Sequence, residues 1–285
     1  MVTSDPTERP AVLAVFAHPD DEQFGTSGAL LRCVDRGVSV YVLCATRGDA
    51  GQVSDPALAS AETLGAVREG ELREASRLLG FAEPIVLDYK DGHLAQAEPG
   101  ELTSRIAAAI RSIRPRVVVT FDANGGYGHP DHVAIHRATL AAVVAAANIG
   151  PGTDGLAVAG HRPDKLYATA YPRSSLARLN ADLVSHGFPA LDFGDVQGIP
   201  AEEIGTVDEW VTTVVPVDDL WPRRWASFRA HRTQYGPGNP FIELPEPVVR
   251  SWMAVDTFVR LDPPPSPGAS LPDEDDLWAG LPLPD

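Results

Sequence analysis

The sequence predicts an α/β fold in which a mostly parallel, Rossmann-like sheet carries helices on both faces. Three nearly unbroken apolar segments support this prediction: AVLAVFA at 11–17, VSVYVLC at 38–44 and RVVVTF at 116–121. Continuous apolar strands are typical of parallel sheets, because both faces of such strands are covered. Segments with a helical pattern lie between them, which is the alternation that βαβ units require.

Each further element follows from its pattern and its end signals. Gly37 and Gly80 end two of the predicted helices, since glycine commonly takes the left-handed conformation after the last helical turn. Two further strands are expected at 84–87 and 165–170. Helices are expected at 26–36, 64–79, 102–113 and 132–147.

The chain is predicted to form three portions. Residues 1–148 form the Rossmann-like catalytic core, and residues 149–262 form a smaller mixed portion that completes the sheet and the substrate pocket. Residues 263–285 are rich in proline and acid and are expected to be a flexible or loosely packed tail. Weaker patterns in the middle portion predict helices at 174–184 and 220–233 and a strand at 211–217.

Composition limits the classes of partner. A formal net charge of −16 argues against a nucleic acid held by its phosphates. The start of the chain lacks a basic region followed by an apolar run, and the apolar stretch at 138–147 is too short to span a bilayer. A cytoplasmic protein without membrane insertion is therefore expected. Cys33 and Cys44 fall inside predicted elements, which favours buried free thiols over a disulfide.

Side chains capable of chemistry concentrate in two loops that each follow a predicted buried strand. Residues 17–22 read AHPDDE, and residues 125–132 read GGYGHPDH. In an open α/β sheet, ligands bind outside the carboxyl ends of the strands, where the winding reverses direction. We therefore expect the two loops to meet and to form one site.

His18, Asp21 and His132 are the predicted metal ligands. His18 and Asp21 are three residues apart, a spacing that on a helical turn places both side chains on one face. Pro19 suits the first position of such a turn. Two imidazoles and one carboxylate leave a coordination position open for water, the pattern of a catalytic zinc site. Iron(II) or another divalent metal also suits these ligand types.

The other polar residues of the two loops are assigned from their positions. Asp20 lies between two ligands in sequence and is the expected general base. His129 is the expected general acid or oxyanion stabiliser, and Asp131 is expected to accept an N–H from a histidine and fix its tautomer. Glu22 is interpreted as an acid in the first turn of a helix, where the helix dipole favours it.

The two motifs resemble those of the PIG-L-like (LmbE-like) N-acetylglucosaminyl deacetylases, which pair an AHPDDE-type motif with a later HPDH motif. The resemblance covers about residues 11–140. Residues 124–132 look most similar to the branch that acts in mycothiol biosynthesis. The resemblance implies the same ligands, base and histidine, a zinc cofactor, and a small-molecule N-acylated amino sugar as the substrate.

The resemblance also implies roles for three further residues. Tyr127 would polarise the substrate carbonyl; the alternative is a loop aromatic that packs over the sheet edge. Arg68 would contact the sugar, and the alternative is a surface charge on its helix. Asp91 would do the same, and the alternative is a turn residue before Gly92.

Two other segments bear on the substrate. Gln52 stands where the mycothiol-pathway loop carries an acid, which argues against the precursor of that pathway as the substrate. Residues 230–234 (AHRTQ) resemble a late motif of the family. His231 or Gln234 is therefore expected to line the site, with a structural histidine at a helix end as the alternative.

The favoured function is a zinc-dependent deacetylase that hydrolyses the N-acetyl group of an N-acetylglucosamine-type conjugate. Three alternatives stay open: an amidase of the same family that cleaves a larger acyl group, a non-haem iron oxygenase, which also uses two histidines and a carboxylate, and a catalytically inactive carbohydrate-binding relative. A dinucleotide-binding module would need a glycine-rich turn after the first strand, where this chain has residues 18–21, HPDD. The sequence does not indicate an oligomeric state.

Overall fold

The computed structural model describes residues 10–191 and 204–283. Its strands are β1 (Ala11–Phe16), β2 (Ser39–Thr46), β3 (Ile85–Tyr89), β4 (Val117–Thr120), β5 (Gly150–Pro151), β6 (Ala157–Val158), β7 (Lys165–Thr169), β8 (Thr213–Pro216) and β9 (Val255–Asp262). Strands β5 and β6 form a separate antiparallel pair, and the other seven form one sheet.

The helices range from a single turn to seventeen residues. They are α1 (Ser27–Asp35), α2 (Leu64–Leu79), α3 (Pro99–Ile113), α4 (Gly125–Gly128), α5 (Pro130–Ala146), α6 (Arg173–Ser185), α7 (Trp221–Phe228), α8 (Pro240–Glu243) and α9 (Glu246–Trp252). Over the described ranges, none of them combines the length and the apolar character needed to cross a bilayer.

The large sheet has the strand order β3-β2-β1-β4-β7-β9-β8. The first five strands are mutually parallel, whereas β9 runs antiparallel to β7 and β8 antiparallel to β9. Helices flank the sheet, with α3 packed against α5 and α2 against α7. The predicted mostly parallel α/β class is confirmed, and the strands that follow residue 148 complete the sheet.

The winding of the sheet reverses between β1 and β4. The chain leaves β1 for β2 and β3 and then returns to pair β4 with the free edge of β1. All six residues of β1 and all four of β4 are buried, as continuous apolar strands require. The loops that follow these two strands therefore emerge side by side at one edge of the sheet.

Strand β9 is an element that the sequence patterns did not predict. Its buried positions alternate along the strand and include Asp256, Phe258 and Arg260. Two of these three buried residues are charged, so the apolar alternation that reveals a strand is hidden. Asp256 pairs with Arg224 at 2.9 Å, so its charge is neutralised by a residue far away in the sequence. Elsewhere in this half, the helix expected at 220–233 ends at Phe228.

The expectation of a flexible or loosely packed tail is wrong for residues 263–283. Leu277 and Trp278 are fully buried members of the main hydrophobic core. The carboxylate of Glu274 accepts hydrogen bonds from Tyr167 Oη at 2.6 Å and from Lys165 Nζ at 2.5 Å. The acidic composition suggested disorder. In the fold, Lys165 balances the charge of Glu274, and the hydroxyl of Tyr167 hydrogen-bonds its carboxylate.

We predict that the last segment stabilises the fold through Trp278. Trp278→Ala should lower the free energy of unfolding by about 3–5 kcal/mol, the usual cost of removing a buried aromatic side chain. Trp210→Ala is the matched control, because Trp210 is 64% exposed and its loss should cost no more than about 0.5 kcal/mol. Urea denaturation measures both values. Equal values for the two variants would contradict the packed arrangement.

Candidate metal and catalytic site

The three predicted metal ligands meet at the carboxyl ends of β1 and β4. His18 Nδ1 lies 3.2 Å from His132 Nε2 and 3.5 Å from Asp21 Oδ2, and His132 Nε2 lies 3.3 Å from Asp21 Oδ1. All three side chains are buried. Ligand atoms that surround one zinc ion tetrahedrally at 2.0–2.2 Å are separated from each other by about 3.3–3.6 Å. The observed separations, which involve a different oxygen of Asp21 for each imidazole, are close to that spacing.

The hydrogen-bond partners of the two imidazoles direct lone pairs at the same point. His132 Nδ1 lies 3.1 Å from the carbonyl oxygen of Gly125, which can only accept, so we assign the proton to Nδ1. His18 Nε2 lies 2.9 Å from Asp91 Oδ1, so we assign its proton to Nε2. With the protons placed in this way, His18 Nδ1, His132 Nε2 and the Asp21 carboxylate would offer three acceptors to a bound cation. Such a group suits a divalent cation.

The electrostatic field at this point also favours a positive charge. Burial opposes protonation of His18, but the carboxylates of Asp131, Asp21 and Asp91 raise its pKa well above the ordinary value. Burial likewise opposes ionisation of Asp21, but His132 and His18 hold its pKa well below the usual range. A field that stabilises an imidazolium here stabilises a bound cation for the same reason.

The route by which His18 and Asp21 meet differs from the one expected. They do not share a helical turn, because the short 3₁₀ helix begins only at Asp21 and Asp20 has a φ of 93°. Instead, the backbone N–H of His18 donates to Asp21 Oδ2 at 2.7 Å and closes the loop. Positive φ is uncommon for residues other than glycine, and such strained positions cluster at functional sites.

Asp20, the expected base, lies beside the ligands in a half-buried polar setting. Tyr235 donates its hydroxyl proton to Asp20 Oδ2 at 2.9 Å, and Arg68 Nη2 lies 3.2 Å from Oδ1. Burial raises the pKa of Asp20, and the nearby guanidinium opposes this effect without cancelling it. A raised pKa makes a carboxylate a stronger base, which suits a residue that accepts a proton.

Arg68 is buried, so its interpretation as a surface charge is wrong. It donates to the carbonyl oxygens of Gly48 at 2.8 Å and Pro19 at 2.5 Å, in addition to its contact with Asp20. Gly48 has a φ of +66°, and a Cβ at this position would lie only 2.2 Å from Arg68 Nη1. The backbone of two loops therefore wraps the guanidinium and directs it at Asp20.

Asp91 and Asp131 both lie on the outer side of His18. Asp91 is in a turn, but its carboxylate is buried, facing His18 and accepting from Ala50 N at 2.9 Å. Burial opposes its ionisation, but its bond to His18 lowers its pKa to about 2. Asp131 is also buried and lies 3.3 Å from His18 Nε2. His18, Asp91 and Asp131 form a second group close enough together to hold a metal.

His129 and Tyr127 stand on the open side of the ligands. His129 Nδ1 accepts from the N–H of Asp131 at 3.2 Å, so the neutral ring carries its proton on Nε2. Burial and the imidazoles of His132 and His18 lower its pKa. Tyr127 is 43% exposed, and its ring centre lies 5.3 Å from that of His132. Partial burial and the carboxylate of Asp21 raise the pKa of Tyr127, so its hydroxyl stays protonated.

Glu22 and His231 form a buried ion pair beneath the site. Glu22 lies in the first turn of a 3₁₀ helix, as interpreted, but it is buried and contacts His231 Nε2 at 2.8 Å. Burial opposes protonation of His231, whereas Glu22 raises its pKa. Glu22 also accepts from the N–H of Asp20 at 3.0 Å. His231 is therefore a structural support, and Gln234 is the member of that motif that lines the cavity.

Tyr235 is the residue of this site that sequence reasoning missed. It lies directly after residues 230–234, the late motif already identified, so adjacency to that motif was the available signal. Burial and the neighbouring Asp20 raise its pKa well above the ordinary value. Its hydroxyl therefore remains a hydrogen-bond donor to the carboxylate.

A polar cavity of about 330 Å³ opens at the ligands. Its floor contains His18, Asp20 and Asp21, and its sides include Arg68 and Asp91. The remaining lining residues are Phe24, Ala50, Gly51, Gly92, Tyr127, His129, Gln234 and Tyr235. The cavity thus places carboxylate, guanidinium and amide groups around the proposed cation, an arrangement that suits a hydroxylated ligand.

Known proteins share this fold. The protein is similar in structure to N,N'-diacetylchitobiose deacetylase from Pyrococcus horikoshii, with a TM-score of 0.64 and 21% identity over 89% of this chain and 84% of that one. It is also similar to the conserved protein TT1542 from Thermus thermophilus, with a TM-score of 0.59 and 26% identity over 92% of this chain and 97% of that one.

Sequence relatives extend the comparison to the whole chain. The PIG-L family, described as GlcNAc-PI de-N-acetylase, matches residues 13–143. The chain is 37% identical to the 1D-myo-inositol 2-acetamido-2-deoxy-alpha-D-glucopyranoside deacetylase of Kineococcus radiotolerans, over 78% of this chain and 68% of that protein. The enzyme of the same name from Geodermatophilus obscurus is 35% identical over 95% of this chain and 98% of its own length. This protein belongs to the PIG-L family of de-N-acetylases.

Proposed function

We propose that the protein is a zinc-dependent N-deacetylase that hydrolyses the N-acetyl group of an N-acetylglucosamine-type conjugate. The observation that carries the proposal is the close approach of His18, His132 and Asp21, with the half-buried carboxylate of Asp20 beside them. The names of the relatives, which are deacetylases of a glucosaminyl inositol, support the same reaction.

His18, Asp21 and His132 would hold the metal and leave a coordination position open. A divalent metal bound there would lower the pKa of a water ligand to about 7 and polarise the substrate carbonyl. Zinc suits two imidazoles and a carboxylate, and iron(II) or another divalent metal is also compatible with these ligands.

Asp20 is the proposed general base. Its carboxylate takes a proton from the water that attacks the amide carbon. Tyr235 and Arg68 hold its two oxygens, so the carboxylate is oriented before the substrate arrives. Burial raises the pKa of Asp20, which favours its acceptance of this proton.

Tyr127 and His129 are the proposed donors to the developing oxyanion. The hydroxyl of Tyr127 stays protonated, and His129 presents an Nε2 proton, so both can donate. Donors placed where charge develops usually supply a large share of the acceleration in acyl transfer. Asp20 or His129 then protonates the amine as the carbon–nitrogen bond breaks, which yields the free amine and the carboxylic acid.

The fold and the loop chemistry argue against the alternatives from other classes. The non-haem oxygenases that use two histidines and a carboxylate usually have an all-β barrel, whereas this sheet is mostly parallel and flanked by helices. A dinucleotide module needs glycine in the turn after β1, and this turn carries a left-handed Asp20 instead. Oxygen consumption in the presence of a 2-oxoacid would test the first alternative directly.

The metal assignment predicts different behaviour for two histidines of α5. His132→Ala should lower the affinity for zinc by more than about 100-fold. Loss of a residue that only hydrogen-bonds a metal ligand costs at most about that much. His136→Ala is the matched control, because His136 is also buried but, among the described residues, hydrogen-bonds the carbonyl of Phe121 alone, at 2.7 Å. Calorimetric titration with zinc measures both affinities. Equal affinities would refute the assignment.

The base assignment predicts that Asp20→Asn keeps the metal and loses turnover. We expect kcat to fall by about 10²–10⁴-fold, the usual contribution of a positioned base. Elemental analysis should give the same zinc content as the wild-type protein. The substrate is N-acetylglucosamine conjugated to inositol, and liberated amine is measured. Wild-type turnover by the zinc-loaded variant would show that Asp20 is not the base.

Tyr235 is proposed as a positioning residue, which predicts a change in kcat without a change in KM. Tyr235→Phe removes one hydrogen bond to a charged group, worth about 1.5–3 kcal/mol, and should lower kcat about 10- to 100-fold. KM should change by less than about two-fold, since the hydroxyl acts on Asp20. Tyr89→Phe is the control, because Tyr89 bonds Glu101 at the surface. A raised KM with unchanged kcat would mean that Tyr235 binds substrate instead.

A further inference from the structure

The buried pair of Glu22 and His231 belongs to a closed path of hydrogen bonds that begins and ends at Asp20. The N–H of Asp20 donates to Glu22 Oε2 at 3.0 Å, and His231 Nε2 lies 2.8 Å from Glu22 Oε1. The N–H of Tyr235 donates to the carbonyl oxygen of His231 at 3.0 Å. The hydroxyl of Tyr235 then returns to Asp20 Oδ2 at 2.9 Å. We call these four residues the Asp20 ring.

The Asp20 ring holds Asp20 at two places. Glu22 holds its backbone N–H, and Tyr235 holds one oxygen of its carboxylate. His231 joins these two contacts, because it bonds Glu22 through its side chain and the backbone of Tyr235 through its carbonyl. A side chain fixed at both ends keeps one orientation, which is what a reacting group requires before the substrate arrives.

The backbone of Asp20 is the part of the loop that most needs such a contact. Its φ of 93° lies in the left-handed region, which is strained for a residue with a Cβ and persists only where the surroundings enforce it. A hydrogen bond from a backbone N–H to a carboxylate is stronger than one between neutral groups. The bond to Glu22 therefore offsets the strain that keeps Asp20 beside the ligands.

Further contacts fix the ring in its surroundings. Glu22 is 1% exposed and His231 is fully buried, and Glu22 Oε1 also accepts from Gln23 Nε2 at 2.8 Å. The carboxylate of Glu71 accepts from the N–H of Thr233 at 2.9 Å and from its hydroxyl at 2.6 Å, which holds the turn that follows His231. The ring is thus attached to the loop of β1 on one side and to α2 on the other.

Stability alone does not explain a buried ion pair at this place. Two apolar side chains of similar size would fill the same volume without the cost of removing two charges from water. An apolar pair could not accept the N–H of Asp20, however, and could not join this N–H to the turn that carries Tyr235. The pair is therefore explained by what it holds.

We propose that Glu22 and His231 are positioning residues for the reaction, which direct the Asp20 carboxylate at the attacking water. The inference rests on the proposed function, in which Asp20 is the base. Neither residue lines the polar cavity, so neither contacts the substrate. Their loss should lower kcat and leave KM unchanged.

Substitutions of His231 separate its hydrogen bond from its bulk. His231 Nδ1 has no hydrogen-bond partner among the described residues, so the ring uses Nε2 alone. His231→Leu removes this donor and should lower kcat at least about ten-fold, the effect of one hydrogen bond to a charged group. In His231→Gln an amide nitrogen can replace Nε2, so kcat should stay within about three-fold of the wild-type value. KM should change by less than about two-fold in both variants.

These values are measured with the zinc-loaded protein, with N-acetylglucosamine conjugated to inositol as the substrate and liberated amine as the readout. Equal kcat values for His231→Leu and the wild-type protein would overturn the proposal. An equal loss of kcat in His231→Leu and His231→Gln would also overturn it, because the hydrogen bond would then not be the cause.

Glu22→Gln has a matched control in Asp256→Asn. Asp256 is likewise a buried acid that pairs with a buried cation, Arg224, at 2.9 Å and accepts a backbone N–H, that of Ala29, at 2.8 Å, but it lies outside the ring. Both substitutions should lower the melting temperature. At a temperature where both variants are folded, only Glu22→Gln should lower kcat, about ten-fold, since at least one N–H group then loses its acceptor. Equal kcat values for the two variants would contradict the positioning role.

A double-mutant cycle shows whether the pair acts through Asp20. If it does, His231→Leu should change the remaining kcat of the Asp20→Asn protein by less than about two-fold, because the group that it positions is already gone. The same ten-fold loss in both backgrounds would mean that His231 acts on another part of the site, and the proposal would be wrong.

Amide hydrogen exchange tests the ring independently of the reaction. In His231→Leu the N–H of Asp20 should exchange at least about ten-fold faster than in the wild-type protein. The N–H of His18 is the internal control, because it bonds Asp21 and should exchange at the wild-type rate. An unchanged exchange rate at Asp20 would overturn the ring itself.

The outcomes keep this inference apart from the proposed function. If the zinc-loaded wild-type protein releases no amine, the proposed function fails, and the exchange rates still decide whether the ring holds the backbone of Asp20. If amine is released and His231→Leu accelerates exchange at Asp20 without lowering kcat, the positioning role is overturned and the deacetylase proposal stands.

Discussion

The site depends on three acceptor atoms that meet at the place where the winding of the sheet reverses. His18 reaches it from the end of β1 and His132 from the start of α5, and Asp21 completes the group. Because β1 and β4 pair directly, the loops that follow them have to lie side by side. The fold thus brings the ligand residues close together. The carbonyl of Gly125 and the carboxylate of Asp91 orient the two imidazoles.

The carboxylates of the first loop illustrate how the charges are balanced. Three acids follow one another in the chain, and burial of an unpaired carboxylate is costly. Asp20 lies against Arg68, and Glu22 lies against His231. Asp21 faces two imidazoles that, in the tautomers assigned to them, present lone pairs to it. A cation between these groups would balance the charge that the rest of the loop leaves uncompensated.

The elements and site residues that could be predicted are those with a local pattern in the sequence. Strands β1 and β4 were predictable because they are continuously apolar. The ligand residues were predictable because each motif follows such a strand. Strand β9 was not, because Asp256 and Arg260 occupy buried positions and only distant partners make them tolerable. The packed segment around Trp278 could not be predicted either, because the acid near it, Glu274, is balanced by Lys165, a residue far away in the sequence.

The geometry of the site was only partly predictable for a related reason. The residue types in the loop of β1 pointed to a metal, but the left-handed conformation of Asp20 has no local signature in the sequence. Tyr235 contacts Asp20 across 215 residues of sequence, so only the folded chain reveals the pair.

The most direct test of the central claim is to locate the metal. A crystal structure of the zinc-loaded protein, with anomalous diffraction measured at the zinc absorption edge, should place one ion within about 2.0–2.2 Å of His18 Nδ1, His132 Nε2 and an Asp21 oxygen. It should also leave one coordination position to solvent. An ion bound instead by His18, Asp91 and Asp131, or by His18, His129 and His132 without Asp21, would contradict the account.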